Sequence, residues 1–470
     1  EIHPMSTAPS YSIIPKTVLA PRDAETARSD KITSREFLSG CLVLCFAPIP
    51  IMVMPILMPF QDPFTQRGLL GELQQNWSYF FWYTPVGWWS LWYTVSLWTS
   101  NVFGLKEGLT VFSVRGFVSC TLLPTLFAMA IFVLAAAWSF PTPLATISLG
   151  VFCFLFAYLC MYASLPKEWL HQQGNPTAFG QLMAFWQLWI LALGGLAVLT
   201  SVSLHLQEQG FNYGLACGII CVKTIMQLVA EKVLLRNFNK AVGDEAEVEH
   251  DKLLGNVPVP SFVVMLPVWV EYTLTIYQNF IFPVKGDWRV MIFSCLVGEI
   301  QLSLGWRGYG AQSETGSEST WLSKLRSRCV APFDAQKKLA SFAVAQLSEV
   351  LTPIHFAAIF SFDVFAYNKR YMYQMEEVQP EYAWLTLKIL ALNFSFQSCM
   401  CAYHLWRFFS FLTIADQDFL RHLLRGIFTR WLWPLVMCTA SVATLAGACM
   451  IMKHDGMDMS LRFEWLDRPP

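Results

Sequence analysis

The chain has 470 residues, 55% of them hydrophobic and only 14% charged, with a formal net charge of −1. A soluble domain carries roughly 25% charged residues, so a mean hydropathy of +0.43 places most of this surface in lipid. The near-neutral balance leaves no basic field for nucleic acid, and the thirteen cysteines contain no C-x-x-C pair that would indicate a zinc site or a redox dithiol.

Residues 1–36 read as a polar, cytoplasmic N-terminal arm without the apolar core of a cleavable signal. A transmembrane helical domain is expected over residues 37–452, followed by a lumenal or extracellular tail at 453–470. Crossing a hydrocarbon core of about 30 Å takes about 20 apolar residues. Suitable windows run Phe37–Phe60, Tyr79–Trp98, Phe117–Phe140, Pro143–Leu165, Phe179–Ser203 and Tyr213–Leu235. They continue at Phe262–Phe282, Val290–Trp306, Leu339–Phe365, Tyr382–Phe411 and Trp431–Met452. The fold class expected is therefore all-α: a polytopic transmembrane bundle of about 11 spans. Basic residues concentrate in the N-terminal arm, at Arg236, Lys240 and Lys252, in the loop 307–338 and at Arg421, Arg425 and Arg430, while the intervening loops are nearly bare. Positive charge marks the cytoplasmic side, so the N-terminus is expected there.

Several features read blandly. The sequon Asn76-Trp77-Ser78 abuts a span too closely for ready glycosylation. The acidic run 244–251 reads as a solvated loop, and the Ser/Glu/Gly-rich stretch 313–320 as a flexible one. No internal repeat is visible.

Ionisable groups inside apolar spans cost at least about 2.5–3.5 kcal/mol each and usually face a cavity or one another. The ninth span, read at 100° per residue, places Gln346, Glu349, Pro353, Asp363 and Tyr367 on one face and His355 on another. Glu349 and Asp363 stand about 21 Å apart along the axis, too far to share a proton. Pro353 between them frees a backbone carbonyl. The sixth span carries the stripe Lys223, Gln227 and Glu231, equally readable as an ion-paired helix end. The seventh carries Trp269, Glu271, Tyr272, Gln278 and Asn279, with no basic residue near Glu271 in its own helix; the eighth holds Glu299 and Gln301. In the tenth, Asn393, Gln397 and His404 align on one face, where interhelical hydrogen bonding competes with chemistry as the explanation. The stretch Asn76–Trp98 packs six Trp together with Tyr79, Tyr83 and Tyr93. Trp88, Trp89, Trp92 and Tyr93 lie at mid-span, where an interfacial belt does not need them.

Two functions use this pattern. In the first, an intramembrane acid, Glu271 or Glu349, protonates an epoxide or alkene of a lipophilic isoprenoid-type substrate. Trp88, Trp92 and Trp269 would stabilise the resulting cation, Asp363 and His355 would take the final proton, and Asn393, Gln397 and His404 would line the substrate site. Isolated intramembrane acids such as Glu271, Glu349 and Asp363, with the aromatic helix Asn76–Trp98, resemble in kind the integral-membrane terpene cyclases of fungal secondary metabolism, without a matching motif. That resemblance implies an isomerase or lyase of terpenoid biosynthesis in an endomembrane such as the endoplasmic reticulum, with the plasma membrane as the other setting. The second function is a proton-coupled transporter or channel in which the same acids form a relay. A membrane acyltransferase using His404 and Asn393 is a distant third. No metal site and no cofactor are indicated; the expected partners are a lipophilic small molecule and the bilayer, with no nucleic acid and no protein partner assigned. The sequence reading leans to the enzyme.

Overall fold

The computed structural model describes residues 34–63, 68–102, 114–165, 288–310, 335–372, 378–411, 414–428, 432–444 and 453–455, together with 375–376, 202, 205–206, 209–222, 225 and scattered positions of 272–279. All regular structure among them is helical, with no strand. In chain order the helices are α1 (Ser34–Phe46), α2 (Pro48–Val53), α3 (Gly68–Gln75), α4 (Thr84–Val102), α5 (Leu123–Trp138), α6 (Gly150–Ser164), α7 (Trp288–Gly310), α8 (Ala335–Phe365), α9 (Pro380–Phe411), α10 (Ile414–Phe428) and α11 (Leu432–Ala443).

Five helical stretches are long and apolar enough to cross a membrane: 35–56, 114–138, 145–164, 342–365 and 380–406. They fall on five of the expected windows. The Tyr79–Trp98 and Val290–Trp306 windows are helical too, and 432–443 is a shorter apolar helix. The windows at 179–203 and 262–282, and most of 213–235, lie outside the described residues, as do the loops at 244–251 and 313–320 and the stripe Lys223, Gln227 and Glu231.

Two groups of helices meet at a central seam. One group packs α4, α5 and α6; the other packs α7 and α8 against α9; α1, α2 and α11 lie between them, touching α4 on one side and α8 on the other. Proline shapes the seam. Pro48 carries no N–H to return to Leu44, four residues back, so the helix breaks at Ala47 and the Leu44 carbonyl loses its intrahelical partner. Beyond α2 the backbone runs through Pro55 and Pro59, and side chains from elsewhere satisfy it. Asn368 donates from Nδ2 to the Ile56 and Met58 carbonyls at 2.7 and 3.0 Å and accepts from the Phe60 N–H at 2.8 Å. Ser78 donates to the Pro59 carbonyl at 2.9 Å, and Trp82 Nε1 to Met54 at 2.9 Å. Irregular backbone is tolerated at membrane depth only with such internal partners.

Small and hydroxylated residues let neighbouring helices approach closely. Between α4 and α11, Thr94 Oγ1 lies 2.6 Å from Ser441 Oγ and 2.9 Å from the Met437 carbonyl, while Ser441 Oγ lies 2.9 Å from the Ser90 carbonyl. Thr94 Oγ1 also lies 2.8 Å from the Ser90 carbonyl, so two hydroxyl protons serve four contacts. Ser96 donates across to the Cys120 carbonyl at 3.1 Å, inside the wide turn Val118–Leu122 where α-helical pairing lapses. At the α1–α10 crossing, a Cβ added to Gly40 would lie 2.2 Å from the Phe428 ring and 2.8 Å from its Cβ. Phe37 closes edge-on against the same ring at 5.2 Å.

Gly40→Ala therefore forces these helices apart, since Phe428 is blocked at its root as well as its tip. The expected loss is about 1–3 kcal/mol, read as a lower melting temperature of the purified protein in detergent. Adding Phe428→Ala should recover part of it.

Candidate functional site

The interior polar groups fall into four clusters, set by which helix faces meet. The first lies where α7, α8 and α9 converge. Glu299 of α7 and His404 of α9 are both buried, and Glu299 Oε2 lies 2.6 Å from His404 Nε2. Gln346 of α8 donates from Nε2 to the other carboxyl oxygen, Oε1, over a long 3.5 Å. Glu349, one turn further along α8, is buried as well. Phe342 covers the His404 ring edge-on at 5.3 Å. Glu299 is thus held by a carboxamide at one oxygen and an imidazole at the other. The carboxylate's closest partner is an imidazole, itself a titratable group.

The second cluster is a chain of amides around the Pro353 break. Pro353 deprives the Glu349 carbonyl of its N–H donor, and the Thr352 hydroxyl turns back toward it at 3.4 Å. Asn279 donates to Thr352 Oγ1 at 3.2 Å, Asn393 donates to Asn279 Oδ1 at 2.7 Å, and the Cys295 thiol points at Asn393 Oδ1 at 3.3 Å. Asn393 thus joins three helices through hydrogen bonds.

The third cluster contains His355, wholly buried in α8. Its Nε2 lies 3.0 Å from the Leu44 carbonyl and 3.1 Å from that of Cys45, and its Nδ1 lies 2.6 Å from the Tyr272 hydroxyl. Carbonyls only accept, so Nε2 carries the proton, and Nδ1 accepts from Tyr272. His355 serves the carbonyl that Pro48 orphaned. It clasps α1 to α8.

The fourth cluster sits beyond the end of the last span. His454 is buried among Phe60, Tyr79, Phe140 and Tyr371, at ring-centre distances of 5.2, 5.2, 6.1 and 5.4 Å. Its Nε2 lies 3.1 Å from Asn76 Oδ1, and Asn76 Nδ2 donates to Glu72 Oε2 at 3.1 Å. The sequon asparagine is thus fully buried with both ends of its amide engaged, and this packing leaves no room for a glycan. Burial holds the His454 pKa down at about 3; the Gln61 backbone works against the shift, and the adjacent Lys453 charge adds to it.

The remaining sequence candidates scatter. Asp363 is buried on α8, beside Phe356, Ile359 and Phe360 of its own helix, and neither carboxyl oxygen has a hydrogen-bond partner. Gln397 is buried on the α9 face that carries His404, with its Oε1 unpaired. Trp88 and Trp92 stack on one another at 5.2 Å, with Phe154 edge-on to both and Phe132 to Trp88. Their rings are packed against α5 and α6, in the other group of helices from Glu299, Glu349 and Asp363. Glu271 and Trp269 lie outside the described residues. The structure thus unites Gln346 and His404 around Glu299, with Glu349 one turn along α8, links Asn393 to the Pro353 break, and keeps His355, Asp363 and the tryptophan pair apart from that corner. No group of three or more His, Cys, Asp or Glu able to hold a metal occurs among the described residues.

The chain matches no family model, no curated protein and no solved structure, so its own residues carry the functional reading.

Two outcomes follow from these clusters. His355→Leu should leave the Leu44 carbonyl and the Tyr272 hydroxyl buried and unpaired, a loss of about 1–3 kcal/mol for each group. The expected signature is a lower melting temperature of the purified protein, with His355→Gln milder because it keeps a donor. For His454, a folded pKa below the usual 6.5 means that docking of this residue is fully stabilised above pH 6.5 and weakens as pH falls toward 3. At pH 5 the loss is about 2 kcal/mol. Hydrogen exchange around residues 453–455 and 72–83 should rise between pH 7 and pH 5, and His454→Phe should remove that pH dependence.

Proposed function

We propose that this protein is a proton-coupled membrane transporter in which the buried Glu299–His404 pair is the site that takes up and releases the proton. The observation that carries this reading is the 2.6 Å contact between a carboxyl and an imidazole, both inside the bundle. A carboxylate held by Lys or Arg is locked as a permanent ion pair. One held by an imidazole has a partner that can itself gain or lose a proton, so the contact is not a permanent ion pair. Intramembrane pairs of this type mark proton relays. Glu349 lies one turn from Gln346 on α8 and Asp363 about 21 Å beyond it, so acids stand toward both ends of this helix.

In full, the proposal is a chain of about eleven spans with a cytoplasmic N-terminus, resident in an endomembrane such as the endoplasmic reticulum. The distribution of basic residues supports the orientation, and the five membrane-length helices support the membrane setting. A proton-initiated cyclisation resembling that of membrane terpene cyclases is the second reading. Asp363 favours it, because a buried carboxyl with both oxygens unpaired is a group able to deliver a proton to an apolar substrate. The aromatic pair weighs the other way, since the faces of Trp88 and Trp92 are taken up by each other and by Phe154.

Sealed proteoliposomes loaded with a pH dye, with the membrane potential clamped, separate the readings. Transport predicts proton movement after an external pH step that falls at least tenfold in Glu299→Gln, with the variant eluting and melting as wild type. Cyclisation predicts instead that an epoxidised prenylated substrate is converted to a product of equal mass, that Asp363→Asn abolishes this, and that no proton moves.

A further inference from the structure

α10 is apolar on one face only, and the chain enters and leaves it at one membrane boundary. Exposed Tyr403 and Trp406 close the span of α9 just before it, and exposed Trp433 opens α11 just after it. Amphipathic aromatic rings collect at headgroup depth, so the connecting helix lies there. Its inner face, Leu420, Leu423, Ile427 and Phe428, is buried, and it packs against α1 and α8. Phe428 meets Phe37 edge-on at 5.2 Å and closes on Gly40, which puts the first turns of α1 beside the end of α10. Arg425 and Arg421 stand one and two turns before Phe428, both half-buried, and Arg35 is exposed two residues before Phe37.

α1 continues this corner into the hydrocarbon. Arg35, Leu38, Leu42 and Phe46 follow one another at spacings of three and four, so they share one face of the helix. The three apolar side chains are 61%, 50% and 57% exposed. A guanidinium thus caps an exposed apolar stripe about 12 Å long. Among the described side chains, three arginines meet one acid here, Glu36, so positive charge remains in surplus whatever Glu36 neutralises. Asp416 and Asp418 belong to the first two turns of α10, at its other end. Arg421 and Arg425 already have contacts within the protein, but a guanidinium carries five N–H donors and holds a side chain and a phosphate oxygen together.

We propose that this corner binds one anionic phospholipid, with its phosphate headgroup on Arg35, Arg421 and Arg425 and an acyl chain along Leu38, Leu42 and Phe46. The stripe decides for a lipid over free phosphate, because it offers apolar surface where the acyl chain of a headgroup at this depth must run. Charge decides for an anionic lipid, since a zwitterionic one brings its own cation to a surface that is already positive. Anionic lipids concentrate in the cytoplasmic leaflet, the side that the proposed orientation gives to this end of α1. The site is independent of the transport reading.

The test follows the melting temperature of the full chain in detergent, at low salt, as phosphatidylserine or phosphatidylcholine is added. Phosphatidylserine should raise it saturably, because a ligand that binds only the folded state stabilises it, and phosphatidylcholine should leave it unchanged. In the double variant Arg421→Gln/Arg425→Gln the half-saturating amount of phosphatidylserine should rise at least about tenfold, and in Arg35→Gln about fivefold. Arg35 is exposed, so Arg35→Gln tests the corner in a chain that folds as wild type. Arg115→Gln, which removes an exposed arginine at the start of another span, is the control and should respond as wild type. Equal responses to the two lipids overturn the proposal, as does an equal weakening in Arg115→Gln, which would mean diffuse charge without a site. Inorganic phosphate reproducing the full shift overturns it too, since the apolar stripe would then have no part in binding.

Discussion

A polar group inside this bundle has no water to fall back on, and that constraint organises the whole structure. Each proline break in the seam opens a backbone group, and a side chain of the same or another helix turns to it. Pro48 releases the Leu44 carbonyl and His355 takes it; Pro353 releases the Glu349 carbonyl and Thr352 bends toward it. The segment around Pro55 and Pro59 is held by Asn368, Ser78 and Trp82. These partners come from residues more than 300 positions away as well as from nearby ones, so the polar contacts fix which helices are neighbours. The apolar contacts then fill the space.

Against that background, the groups that are not tied into backbone repair stand out. Glu299 and His404 answer each other rather than a broken helix. Asp363, Gln346 Oε1 and Gln397 Oε1 have no hydrogen-bond partner. Most interior polar atoms in folded proteins are satisfied, and these exceptions lie at separate places in the bundle, with Asp363 about 21 Å along α8 from Glu349. The contrast with His355 is instructive: it is as deeply buried, but both of its nitrogens are occupied by structural duties.

Much of the membrane architecture was legible in the chain itself, because hydropathy over about 20 residues reports directly on bilayer crossing. The face shared by Asn393, Gln397 and His404 was legible too, since helical period alone puts them together and all three are buried. Pairings were not. Glu299 could be seen as an acid inside an apolar helix, but nothing local ties it to His404, 105 residues later. His355 read as a chemical group, although Pro48, four residues after Leu44, carried the hint of a carbonyl in need of a donor. The tryptophans read as a cation-stabilising wall because composition does not reveal that they face each other. His454, in a short polar tail, gave no signal, and its partner Asn76 read first as a sequon.

The central claim is that Glu299 and His404 share an exchangeable proton inside the membrane. Infrared difference spectroscopy of the protein in bilayers, stepped between pH 8 and pH 5, tests it most directly. The account predicts a carboxyl band that responds to the step, disappears in Glu299→Gln and shifts in frequency in His404→Gln. Spectra of Glu299→Gln that superimpose on those of the wild type would contradict it.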